Sequence, residues 1–78
     1  MTTLDQLPIG AAGRVTRVGG AAHIRRRLLE LGLVEHTRVT ALGTSPGGGI
    51  RAYLIRGAVI ALRDGDAAGV AVEEVEEI

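Results

Sequence analysis

The sequence predicts a mainly β fold, a small barrel of about five strands with one α-helix inserted after the first strand. Three observations carry this expectation. From residue 38 onward, short apolar segments alternate with glycine-rich turns. One stretch alone, Ala21 to Leu31, repeats its apolar residues at helical spacing. At 78 residues the chain fits a single domain spanning 1–78, and a core of that size buries only about 60–65% of the unfolded surface.

The elements follow in order. Leu4, Leu7 and Ile9 lead through Pro8 to Gly10 in an extended, turn-prone segment. Ala12 to Val18 reads as a strand, with Arg14, Thr16 and Val18 on one face and Val15 and Arg17 on the other. The alternation is poor there, and Gly19-Gly20 ends it. In the helix, Ile24, Leu28 and Leu31 fall at i, i+4 and i+7, and Leu29 widens the stripe. Gly32 stands where a left-handed residue closes a helix at least cost, and Leu33 where the chain folds a hydrophobe back onto Leu28. Arg38 to Thr44, Ile50 to Arg56, Ala58 to Leu62 and Val70 to Val75 read as strands. Ser45-Pro46-Gly47-Gly48-Gly49 is a hairpin loop and Gly57 a tight turn. Arg63 to Ala67 is a turn with room for one helical turn.

Composition narrows the function classes. No apolar run approaches the ~20 residues of a membrane span, so direct membrane insertion is not expected. Met1-Thr2-Thr3-Leu4-Asp5 has neither the basic start nor the apolar stretch of a signal peptide. The expected location is therefore the cytoplasm. No cysteine is present, so neither a disulfide framework nor a thiolate metal site can form. The net charge is zero, which argues against a dedicated nucleic-acid binder. Tyr53 is the sole aromatic, so neither a proline-peptide groove nor a base-stacking platform can be built. Basic residues, all arginine, come early and acidic residues late, and the two sets can pair across a compact surface.

Each candidate site has a plain structural interpretation beside a functional one. Arg25-Arg26-Arg27 opens the helix, where the helix dipole disfavours positive charge. A solvated face with Arg26 and Arg27 reaching Glu30 is the plain interpretation, and a docking patch for an acidic partner the functional one. The glycine loop lacks the spacing and the lysine of a phosphate-binding loop, and it joins two strands. His23 and His36 are the only imidazoles, weak candidates for metal ligands at thirteen residues' separation. No nucleophile–base arrangement emerges, so no catalytic residues and no cofactor are expected. Apolar residues clustered near one helix end, Leu28, Leu31 and Leu33, could leave a recognition surface.

Arg27-Leu28-Leu29-Glu30-Leu31-Gly32-Leu33, Ser45-Pro46, Ile55-Arg56-Gly57, Ile60-Ala61-Leu62-Arg63 and Asp66-Ala67, in that order, resemble the ferrous iron transport protein A (FeoA) family. The opening Leu4-x-x-Leu7-x-x-Gly10 fits as well. The resemblance implies an SH3-like β-barrel and a cytoplasmic accessory to the membrane ferrous iron transporter FeoB, which carries a G-protein domain. Two departures stand in turns. Glu35-His36 replaces a frequent Pro-Gly, and Gly48-Gly49-Ile50 replaces a frequent Gly-Asp-Pro, removing one carboxylate.

The leading expectation is therefore a regulator that docks on the transporter. Arg27, Leu28, Leu31, Leu33, Ser45 and Pro46 would form the contact, and Arg25 to Arg27 would act on nucleotide turnover if the G-domain is the target. A metal-binding or metal-sensing module and a nucleic-acid-binding small barrel are the alternatives. A homo-oligomer would use the same leftover apolar surface.

Overall fold

A computed structural model describes residues 1–75. Its elements are β1 (Thr2–Thr3), a 3-10 turn (Leu4–Gln6), β2 (Ala12–Val18), α1 (Ala22–Glu30), β3 (Arg38–Thr44), β4 (Ile50–Ile55), β5 (Ala58–Arg63), α2 (Asp64–Ala67) and β6 (Val70–Val75). The strands form one antiparallel sheet in the order β1-β6-β2-β3-β4-β5. The strand beyond the expected five is β1, whose two residues are too short to show alternation. The helix accordingly follows the first long strand, β2. The ladder leaves β1 and β5 as its two edges. Between them sit the 3-10 turn and α2, which pack on each other, with α2 also against β5. The result is barrel-like without full hydrogen-bonded closure.

The irregular alternation of β2 has a structural cause. The β2–β6 register shifts between Val15 and Arg17, and Thr16 sits in the resulting bulge, its hydroxyl donating to the Ala71 carbonyl at 3.1 Å. A bulge adds a residue and resets which side faces inward. Val15 is therefore buried and Val18 also packs on the core, while Arg14 and Arg17 face solvent. This corrects the expectation that Val18 shares a face with Arg14. A second shift lies between Ala41 and Gly43 in β3, where Leu42 is exposed after buried Val39 and Ala41.

Leu4, Leu7, Val15, Leu28, Leu33, Val39, Tyr53, Ile55, Leu62, Val70 and Val72 form the core. Tyr53 is its largest buried side chain. The Tyr53 hydroxyl donates to the Leu4 carbonyl at 3.3 Å, and Arg51 Nη1 donates to the Leu7 carbonyl at 2.8 Å. Strand β4 thereby holds the N-terminal segment. Early arginine and late glutamate pair as the charge order suggested: Arg14 and Glu73 are register partners on β2 and β6, with an ion pair of 3.5 Å.

Helix α1 follows Ala21 at its N-cap, which offers no side-chain bond, and carries no acid in its first turn. Its end is better built. Gly32 adopts φ 103°, its N–H bonds the Leu29 carbonyl, and the Leu33 N–H bonds the Leu28 carbonyl, each at 3.0 Å. These are the two bonds of a Schellman end. Leu28 and Leu33 are both buried, and burying a leucine is worth about 1.5–3 kcal/mol. Packing, and not local helix energetics, holds this element.

Candidate partner-docking surface

The sequence-selected residues separate into two groups. Leu28 and Leu33 lie in the core, at 1% and 0% exposure. They cannot touch a partner, and the expectation that they form a contact patch is corrected. The thin core needs every large aliphatic residue near the helix end. Leu31 is half-buried and packs on that core. Arg27, Ser45 and Pro46 remain at the surface.

The Ser45–Gly49 loop is ordered from within. The Gly48 N–H bonds the Ser45 carbonyl at 2.9 Å, with Pro46 second and Gly47 third at φ 85°, the arrangement of a type II turn. The Ser45 hydroxyl donates to the Gly48 carbonyl at 2.9 Å. The Ser45 N–H then reaches the Ile50 carbonyl at 2.8 Å. Ile50 in turn lines a cleft with Arg27, Ala61, Leu62, Arg63 and Asp66. The fold thus brings Arg27 and the Ser45-Pro46 loop to one end of the sheet, around Ile50.

Beside that cleft runs a shallow apolar groove lined by Leu42, Ser45, Ile50, Ala52 and Ala61. Leu54 and Val59, directly paired across β4 and β5, extend the apolar surface, and Val59 is 67% exposed. These residues were not among the sequence candidates. A signal was present: β4 and β5 are apolar at both parities, more than a strand with one wet face requires.

The arginine triplet does not behave as a salt-bridged face. Arg25 Nε donates to the Val18 carbonyl at 3.2 Å. Among the described residues no ion pair joins Arg26 or Arg27 to Glu30, so the expected pairing within the helix is absent.

His23 and His36 are both exposed, on α1 and in the Val34–Thr37 turn. His36 Nε2 lies 3.6 Å from Glu35 Oε1. Among the described residues no group of three or more histidine, cysteine, aspartate or glutamate side chains converges as a metal site. Among the described residues no helix is long and apolar enough to cross a membrane.

Among the described residues His36 and Arg56 are the non-glycine residues with positive φ, 75° and 51°, and both line a second groove with Glu35, Arg38, Thr40 and Leu54. His36 is third in a turn closed by the Thr37 N–H on the Val34 carbonyl, where glycine is favoured. Arg56 opens the Arg56-Gly57 turn between β4 and β5. Its side chain lies beside Gly32, where an added Cβ would meet Arg56 Cδ at 3.5 Å.

The class the fold and surface define is a small SH3-like barrel with an inserted helix, presenting an apolar sheet face and an arginine-bearing cleft. The profile of the FeoA domain matches residues 2–74, and the chain belongs to the FeoA family. Its backbone superposes on the FeoA protein of Chlorobium tepidum with a TM-score of 0.90 at 29% identity, covering 96% of this chain and 71% of that one. A FeoA-like protein of Clostridium acetobutylicum gives 0.88 at 26%, covering 99% and 90%. The zinc-complexed FeoA of Stenotrophomonas maltophilia gives 0.83 at 32%, covering 94% and 91%. That protein is described as a prokaryotic SH3 domain protein and a candidate activating factor for ferrous iron transport. A search of curated proteins returned no significant match.

Proposed function

We propose that this chain is a cytoplasmic accessory of ferrous iron uptake that docks on the membrane transporter FeoB and regulates it. Membership of the FeoA family supplies the process. The observation that carries docking is the convergence of Arg27 and the Ser45-Pro46 loop around exposed Ile50, next to an apolar groove. Apolar surface rimmed by charge is what a protein partner recognises. Leu31, Leu28 and Leu33 contribute from beneath by fixing the helix end on which Arg27 stands.

The test is co-purification with membranes containing the transporter, together with iron uptake. Arg27→Glu and Ile50→Asp alter exposed side chains and should leave melting unchanged while reducing binding at least tenfold. Full binding and uptake by both folded variants would remove this surface.

A finer reading follows from Arg26 and Arg27, exposed and without an ion partner among the described residues. They could place positive charge against the G-domain and alter nucleotide turnover. GTP hydrolysis by the transporter, measured with and without this protein, decides it; an unchanged rate ends that reading.

A further inference from the structure

Nine of the described residues have positive φ, and seven of them are glycine. The two exceptions, His36 and Arg56, line the same groove. A side chain in that conformation is strained, and such strain persists where the side chain itself is needed. At the first position of the Arg56-Gly57 turn, asparagine or glycine would fit without it.

Positive charge converges on this groove. Arg14 and Arg38 are register partners on β2 and β3. Val39 pairs with Ile55 on β4, so the same register carried one step further sets Arg56 opposite Arg38. Like charges placed opposite one another disfavour a sheet, so the row of arginines does not arise from folding energetics. Arg14 is paired with Glu73, while Arg56 makes no ion pair among the described residues. The stem of Arg56 is nevertheless held in place, running over Gly32. Among the described lining residues the one carboxylate is Glu35, which lies beside His36.

The rest of the lining indicates the occupant. Leu54, directly paired with Thr40, is exposed between the arginines and supplies an apolar surface. The groove measures about 610 Å³, whereas one water takes about 30 Å³, so a simple ion would leave most of it empty. A nucleobase has no ring to stack on, because Tyr53 is buried. An acidic protein segment with aliphatic neighbours matches both features. Its carboxylates would bond the guanidinium groups, and an aliphatic side chain would cover Leu54.

We propose that the groove formed by His36, Arg38, Leu54 and Arg56 is a second docking site, which holds an acidic, leucine-bearing segment of a partner protein. This goes beyond the docking reading above. The groove shares no lining residue with the Arg27–Ile50 cleft and lies at the other end of β4.

The test titrates isotope-labelled protein with three capped synthetic peptides. The first alternates glutamate and leucine, the second has lysine for glutamate, and the third has serine for leucine. The first should shift the Leu54, Arg56 and Gly57 amide resonances, and the other two should bind about tenfold more weakly or worse. Arg56→Gly keeps a residue suited to positive φ; it should fold as the parent does and weaken binding of the first peptide about tenfold. Leu54→Ser, at an exposed position, gives the same readout should Arg56→Gly fail to fold. Ile50→Asp should bind the peptide as the parent does, whether or not it still docks on the transporter. No shift at the groove, equal affinity for the glutamate and lysine peptides, or undiminished binding by the folded variants overturns the proposal. So do shifts centred on Ile50. Inorganic phosphate that displaces the peptide at equal concentration also overturns it, since the groove would then be a simple anion site.

Discussion

The hydroxyl of Tyr53 donates to the carbonyl of Leu4, 49 residues earlier, across the interior of the barrel. Burial pushes this phenol up from 10.0 to about 12, with Arg51 acting in the opposite direction. The folded state therefore holds the proton more tightly than the unfolded chain. Stability from this group is complete below about pH 10 and is lost as pH rises towards 12. Two units correspond to about 2–3 kcal/mol. Denaturation at pH 9 and at pH 11.5 should show a loss of that order, and Tyr53→Phe should remove this component while costing about 1 kcal/mol at neutral pH. A pH response in the variant equal to that of the parent would contradict the assignment.

Ala21 occupies the N-cap of α1 with φ −61° and ψ 145° and no side-chain bond. Aspartate there would accept from the free N–H groups of the first turn and oppose the charge of Arg25. Ala21→Asp should stabilise the protein by about 1 kcal/mol, read as a higher urea midpoint with unchanged slope.

Gly32 closes the same helix at φ 103°. The nearest atoms to an added Cβ, on Arg56 and Ile55, lie at 3.5 Å, an ordinary contact. The penalty of Gly32→Ala is therefore conformational, about 1–2 kcal/mol. A loss well above this, measured by thermal unfolding, would show that space and not backbone conformation sets the cost.

His36 takes a left-handed conformation that costs a side chain about 1–2 kcal/mol. His36→Gly relieves it against about 0.4–1 kcal/mol of added freedom in the unfolded chain. The variant should gain about 0.5–1 kcal/mol, and a destabilised variant would show that the exposed imidazole makes a contribution beyond its pairing with Glu35.

Leu28→Ala should cost about 2–5 kcal/mol, a large share of the stability of so small a domain. Leu28→Asp should abolish the fold, and loss of transporter binding in it would report unfolding. Circular dichroism of the purified variants separates the two; a natively folded Leu28→Asp would show the position to be plastic.

Much of the architecture was legible in residues 28 to 33. Leu28, Gly32 and Leu33 specified a helix, its left-handed stop and the returning hydrophobe, because all three requirements are local. The Ser45–Gly49 hairpin loop was legible for the same reason, since Pro46 and Gly47 suit consecutive turn positions. The bulge at Thr16 showed only as poor alternation, because it arises from how β2 meets β6.

The sequence by itself determined the elements, their turns and the absence of any thiolate or stacked-aromatic chemistry, since these depend on residue type and near-neighbour spacing. Only the tertiary structure decided exposure. It buried Leu28 and Leu33, carried Arg27 to the cleft beside Ile50, and left Ile50, Leu54 and Val59 outside. An aliphatic side chain reads the same in sequence whether it fills a core or faces a partner; which it does depends on how many strands and helices compete for one small interior.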